Sequence, residues 1–282
     1  MLVAPTLVFV CLFTLFPLGE VLVGSLFKHK LNIPKYQVPV FAGFGNFTDL
    51  FKDPEFLQVV TNTGIYLLAL IPLLLIAALI LAFLLEGKMK GLAFFRLAAF
   101  HPTVLPLVSA ATIWLFFLTP GYGLWNQFLR LFGYAGPENW AGNPSLAIFA
   151  LALVAFWKNV GFLMLFFLTG LQNLDRSLVE AARMDGSGGL RLVTRIILPL
   201  IRRQTLFVTT IAFIGAFQTV DHVFVLTQGG PSGTSTLPLY YLWQLRFDRM
   251  DIGRGDAVTL MLVIALLAFT VTNTLISERH EK

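Results

Sequence analysis

Charge is scarce in this 282-residue chain. Only 12% of its residues are Asp, Glu, Lys or Arg, about half the share found in soluble domains. With 57% hydrophobic residues, the sequence describes an integral membrane protein and no single soluble core. The one cysteine, Cys11, lies in an apolar run, which excludes a disulfide framework and a cysteine-based metal site. No G-x-x-x-x-G-K-[ST] segment occurs, so a phosphate-cradling loop of that type is excluded. His, Asp and Glu show no metal-ligand spacing, and neither a low-complexity tract nor an internal repeat is visible. The net charge of +5 is spread over loops and does not make a nucleic-acid surface. The first apolar run, 2–26, lacks a basic n-region and is too long for a signal-peptide core, so it is expected to be a first transmembrane helix.

What the chain has is hydrocarbon length. A spanning helix takes about 20 apolar residues. Six segments qualify: 2–26, 60–85, 98–119, 146–170, 205–227 and 257–277. The expected architecture is an all-α membrane protein, one transmembrane domain over 1–282, with both termini on the same side. The basic residues set the orientation. Eleven fall in loops on the side of the termini: Lys88, Lys90, Arg96, Arg176, Arg183, Arg191, Arg195, Arg202, Arg203, Arg279 and Lys282. Eight fall on the other side: Lys28, Lys30, Lys35, Lys52, Arg130, Arg246, Arg249 and Arg254. The Arg cluster at 176–203 favours the cytoplasm for the loop 171–204.

That loop has helix signals of its own. Ser177-Leu178-Val179-Glu180 fits a capping box, in which Ser177 caps and Glu180 reaches back. Gly186 is a natural stop, because glycine takes a positive φ at little cost, and Gly188 and Gly189 extend the bend. A second helix is expected over 190–198, ended by Pro199. It reads as amphipathic, with Leu190, Val193, Ile197 and Leu200 on one face and Arg191, Arg195 and Arg202 on the other. Ala181 and Ala182 are small enough for a partner to approach the backbone. A basic amphipathic stretch also suits lipid headgroups, and the physics alone leaves both readings open.

The order of residues adds a resemblance. Glu180-Ala181-Ala182, Asp185-Gly186, then Ile196, Leu198 and Pro199 resemble the loop signature E-A-A-x-x-D-G…I-x-L-P of permease subunits of bacterial ABC importers. The likeness extends over nearly the whole chain to the carbohydrate-uptake branch, the maltose and glycerol-3-phosphate type. It includes Leu2-Val3-Ala4-Pro5, the segment Phe41 to Phe47, Asp53-Pro54, Asn62-Thr63, Pro120 to Gly123 with Asn126, Trp157-Lys158, Leu171-Gln172, and Asp221 followed by Val225-Leu226-Thr227 and Gly229-Gly230-Pro231. Asp175 departs from the pattern, standing where many members have proline. So do Ser187, where alanine is common, and the pair Gly188-Gly189.

The resemblance implies six transmembrane helices with a cytoplasmic two-helix coupling loop between the fourth and fifth. It implies a multi-pass protein of the bacterial inner membrane with both termini cytoplasmic. The loop would dock into a cytoplasmic ABC ATPase, present in two copies. A second homologous permease subunit would share the solute path, and an extracellular or periplasmic solute-binding protein would deliver a sugar or glycerol-3-phosphate-like solute. No cofactor is expected on this chain; ATP and Mg belong to the partner ATPase. Membrane lipid is a further partner, and nucleic acid is not.

Ionisable and amide side chains inside spans are costly and mark candidate paths. Lys158, Asn159, Gln218, Asp221 and His222 are the possible solute path. For Lys158 the alternative is snorkelling or pairing inside the bundle, and for Asp221 the capping of loop amides. His101 reads as a packed or capping residue, and Trp114, Trp125 and Trp140 as interfacial belts. Asp185-Gly186-Ser187-Gly188-Gly189 looks superficially like a hydrolase motif, but a serine nucleophile needs a base in reach. His29, His101, His222 and His280 all lie elsewhere, so an enzyme is not expected. The rival readings are a self-contained secondary transporter or channel, and a membrane anchor that recruits a soluble partner through the loop.

Overall fold

The computed structural model describes residues 3–87, 90–136, 139–218 and 220–278. Leu2, Lys88, Arg279, His280 and Lys282 lie outside the described residues.

Among the described residues, four helices are long and apolar enough to cross a membrane. They are α1 (Ala4–Gly24), α3 (Pro54–Leu84), α7 (Ala147–Gln172) and α13 (Ile252–Glu278). The 31 residues of α3 span about 46 Å at 1.5 Å per residue, more than the hydrocarbon of a bilayer. Two further candidates are bent pairs: α4 (Leu92–Val104) with α5 (Leu107–Phe117) at 99°, and α9 (Gly189–Leu200) with α10 (Arg202–Gln218) at 81°. Shorter helices are α2 (Gly45–Phe51), α6 (Leu124–Arg130), α8 (Arg176–Met184), α11 (Asp221–Leu226) and α12 (Pro238–Trp243).

Two of the expected spans are therefore corrected. The third, 98–119, is not one rod. It breaks at Leu105-Pro106, where Leu105 is extended and Pro106 supplies no amide to continue the α4 pattern. The fifth, 205–227, ends as a helix at Gln218 and resumes in α11 at Asp221. The all-α expectation also omits a small antiparallel ladder, β1 (Phe27–Lys28) with β2 (Val40–Phe41).

The chain forms two compact units, 1–63 with 236–268, and 64–235 with 269–282. In the first, Leu50, Phe56, Val59, Tyr241, Leu245, Ala257 and Val258 form a buried core. Asn46 Nδ2 donates to the carbonyl oxygens of Ser25 and Phe27, both at 2.8 Å. This fixes the end of α1, whose sides carry no buried residue. Ion pairs surround the core: Lys28 with Asp49, Lys30 with Asp251, Arg246 with Asp256, Arg249 with Glu55, and Arg254 with Asp53. At least five of the eight basic residues expected on the side away from the termini are thus matched by carboxylates. In the second unit α7 is the hub. Its buried row, which includes Ala147, Ala150, Leu151, Val154, Gly161, Met164, Phe167, Leu168 and Leu171, packs against α4, α5, α10 and α11.

Candidate functional site

The loop 171–204 holds two helices, but their caps differ from expectation. Asp175, not Ser177, is the N-cap of α8: its Oδ1 accepts from the Ser177 amide at 2.9 Å. A carboxylate at Ncap satisfies an orphan amide and meets the positive end of the helix dipole. Ser177 thus lies two residues past the cap, inside the helix, and the capping box does not form. Its hydroxyl and amide hold the Asp175 carboxyl below the usual carboxylate range. Glu180 is left exposed.

The end of α8 is as expected. Gly186 has φ +79°. Its amide donates to the Arg183 carbonyl oxygen at 3.0 Å, and the Ser187 amide to that of Ala182 at 2.9 Å. This is the paired closure of a Schellman motif. Gly188, extended, then caps α9, and Gly189 takes φ +53°.

The second helix runs past Pro199 to Leu200, so Pro199 does not stop it. A π-turn over Val193–Ile197 precedes the proline, and the Leu198 amide donates to Val193 five residues back. The widened turn relieves the clash between the ring and the preceding turn. The same device precedes Pro17, after the π-turn Cys11–Leu15 of α1. The buried face of α9 is also shifted from the one expected. Leu192, Ile197 and Ile201 are buried, whereas Leu190 is 78% and Leu200 44% exposed.

Of the motif residues, Ala181, Glu180, Asp185, Gly186 and Pro199 are exposed, Ile196 and Leu198 are half-buried, and Ala182 is buried. Only one of the two small alanines therefore offers its side chain outward. Met184, 88% exposed, and Leu178, 50% exposed, join Leu190 on the outside of the loop. Three apolar side chains on a polar loop were missed because a helical period alone does not say which face is covered. Beneath the loop is a cavity of about 480 Å³, bordered by Glu86, Glu180, Arg183, Leu171 and Ile197.

The candidate path residues separate into three places. Asn159 and Gln218 line one cavity of about 230 Å³ between α3, α7 and α10, with Tyr66, Phe162, Gly215 and Ala216. Tyr66 was not foreseen; a single tyrosine in an apolar span is a weak signal. His222 is fully buried, and its Nε2 lies 3.3 Å from the Tyr66 hydroxyl. Asp221 is half-buried in the first turn of α11. Lys158 does not line the cavity. Its Nζ donates to the carbonyl oxygens of Thr103 at 2.9 Å and Leu105 at 2.7 Å, at the break between α4 and α5. His101 is exposed in the last turn of α4.

The tryptophans also depart from the belt reading. Trp114 is 6% exposed and makes edge contacts with Trp125 at 5.7 Å and Trp157 at 5.9 Å. Trp140 Nε1 donates to Asn126 Oδ1 at 2.9 Å. These rings form one packed aromatic row. Among the described residues, no group of three or more His, Cys, Asp or Glu could hold a metal ion.

A loop presenting E-A-A-x-x-D-G on a capped helix, set among membrane-length helices, narrows the family. The family model described as "Binding-protein-dependent transport system inner membrane component" matches residues 40–282. The chain belongs to this family. It is a transport permease of the ABC type and not an enzyme. The permease is 32% identical over 272 residues to the sn-glycerol-3-phosphate transport system permease protein UgpA of Escherichia coli O6:K15:H31, covering 96% of this chain and 90% of that one. It is 33% identical over 272 residues to the sulfoquinovosyl glycerol transport system permease protein SmoG of Agrobacterium fabrum, covering 96% and 87%. A probable ABC transporter permease protein, YurN of Bacillus subtilis, is 31% identical over 270 residues, covering 95% and 91%. The permease fold matches a chain in the crystal structure of a bacterial ABC transporter that imports the acidic polysaccharide alginate. There the TM-score is 0.79 at 21% identity, over 100% of this chain and 95% of that one.

Proposed function

We propose that the permease is one of two membrane subunits of an ATP-driven importer for a sugar or glycerol-3-phosphate-like solute. The reading makes α8 and α9 the coupling element, on the cytoplasmic side together with both termini. The observation that carries it is the exposed side of α8: Glu180, at the rim of the cavity under the loop, Met184 and the Gly186 elbow are all exposed among the described residues. A carboxylate next to a flexible apolar side chain suits docking into a cleft that has a basic or amide rim. Exposed methionine fits an irregular apolar pocket.

Six spans follow if each bent pair crosses once. The solute path then runs by the cavity holding Asn159, Gln218 and Tyr66. Two amides and a phenol supply donors and acceptors for hydroxyl groups, as a polyol needs. The relatives support this choice of solute, since they are named for transport of glycerol-3-phosphate and of sulfoquinovosyl glycerol. A second solved structure of the same fold, TM-score 0.79, contains an alginate pentasaccharide-bound periplasmic protein, which supports delivery by a binding protein. ATP and Mg would act on the partner ATPase, which supplies the driving energy. This chain contributes the path and the mechanical contact.

The test is copurification followed by uptake. The permease, expressed with its genomic neighbours, is expected to bring down an ABC ATPase and a second permease. In proteoliposomes the assembly should take up sn-glycerol-3-phosphate or a sugar only with ATP. Glu180→Lys should leave membrane insertion intact and abolish ATP-driven uptake. Uptake by this chain alone, driven by an ion gradient, would replace the proposal with a secondary transporter.

A further inference from the structure

α7 carries two glycines where neighbouring helices approach closely. A Cβ at Gly161 would lie 1.9 Å from the Ala99 carbonyl oxygen, and one at Gly170 2.8 Å from Cγ of Gln204. The second notch has a chemical consequence. Phe166 and Gly170 stand one turn apart on the same face of α7. Because Gly170 has no side chain, the Gln204 amide reaches the backbone, and its Nε2 donates to the Phe166 carbonyl oxygen at 2.9 Å. A carbonyl oxygen has a second lone pair beyond its helical bond, and this one takes the amide. The rings of Phe166 and Phe207 meet edge-on at 5.5 Å beside it.

Gln204 occupies the first turn of α10, directly after the 81° bend that joins α10 to α9. Ile201, in the bend, is 3% exposed. On the other flank Asn273 Nδ2 donates to the Leu206 carbonyl oxygen at 2.8 Å, and Phe213 stacks on Phe269 at 3.6 Å. The loop end of α10 is thus held on both sides. Further along, the same pair of helices lines the cavity through Asn159 and Gln218. Gln218 is fourteen residues beyond Gln204, about 21 Å along the helix.

We propose that the Gln204–Phe166 hydrogen bond, seated in the Gly170 notch, is the joint through which movement of the loop 171–204 reaches the cavity. Gln204 is then a positioning residue for opening of the solute path. The inference rests on the importer reading above. Apolar side chains slide past one another at little cost. A part-buried amide bond does not, because shear would pull the donor from its carbonyl oxygen and leave the bond unmade. Displacement of α9 and the start of α10 therefore carries α7 along at this level.

The experiment uses the copurified complex with its ATPase. Cys11→Ser removes the native thiol, and Gly215→Cys places a reporter in the cavity, where a Cβ meets nothing within 4 Å. Labelling of this chain by N-ethylmaleimide is compared without nucleotide and after trapping with ATP and vanadate. With Gln204 present, trapping should change the labelling rate. Gln204→Leu should retain the ATPase and cut that change about tenfold, and Gln204→Lys, which keeps a donor, should restore it. Gly170→Ala, which displaces the amide without altering it, should behave like Gln204→Leu and replaces it if the leucine variant does not assemble. A full nucleotide response in Gln204→Leu overturns the inference, as does equal impairment of the leucine and lysine variants. A parent complex that holds its ATPase but shows no response at position 215 also overturns it. Failure to copurify any ATPase overturns the importer reading itself, a separate result.

Discussion

Lys158 and Thr103 hold each other by a reciprocal pair of bonds. Lys158 Nζ donates to the Thr103 carbonyl oxygen, and Thr103 Oγ1 donates to the Lys158 carbonyl oxygen, both at 2.9 Å. The ammonium also takes the Leu105 carbonyl oxygen. A helix end leaves its last carbonyls unsatisfied, and in a membrane segment water is scarce. The lysine is therefore the cap of α4 at the break before Pro106, and its positive charge suits the negative end of that helix.

Lys158→Met should destabilise the permease by about 2–3 kcal/mol, since it leaves two carbonyls without a donor. Lys158→Arg should recover most of the loss. Thermal unfolding in detergent measures the stability, and solute dependence of uptake in the assembled complex measures the role. The expected outcome is a lowered Tm with an unchanged KM. A raised KM with an unchanged Tm would return Lys158 to the solute path.

Gly161→Ala should cost about 1–3 kcal/mol, as overpacking does. Its Cβ would press on the backbone oxygen of Ala99 and not on a side chain that can turn away. Gly215→Ala is the matched control. It sits in a helix with nothing within 4 Å of a Cβ, so alanine should be neutral or stabilising by up to about 1 kcal/mol. Equal effects at the two positions would reject close approach of α4 and α7 as the reason for Gly161. Thermal unfolding of the two variants side by side decides it.

Much of this was legible in the sequence, and the misses share a cause. Apolar length located the four long helices, because a bilayer demands such length. Gly186 announced the loop's elbow, because a positive φ has few other solutions. The breaks at Leu105-Pro106 and after Gln218 were hidden, because they fall inside apolar runs that satisfy a length criterion equally well when bent. Pro199 was misread as a stop, since the π-turn that accommodates it leaves no composition signal. Ser177 fitted a spacing rule, but Asp175 two residues earlier reaches the amide first. Lys158 stayed open between the path and pairing inside the bundle, because its partners are backbone carbonyls 53 and 55 residues away, which no local pattern reveals. Tyr66 and Gln218 line one cavity from helices far apart in the sequence, which no local pattern shows.

The Asp175 cap should be pH-dependent with a definite sign. The bonds from Ser177 lower its folded-state pKa, so the unfolded loop binds the proton more readily. The cap's contribution is fully present above the unfolded carboxylate value of about 4. It is lost as pH falls through the lower folded value. Asp175→Ala should speed amide exchange over the first turn of α8, Ser177 to Val179, at neutral pH. Asp175→Asn keeps an acceptor oxygen at every pH and should preserve protection. Hydrogen exchange of the three proteins across pH 3–7 is the measurement. If alanine and asparagine give the same protection, or if the native loop loses none on acidification, Asp175 does not hold the start of α8.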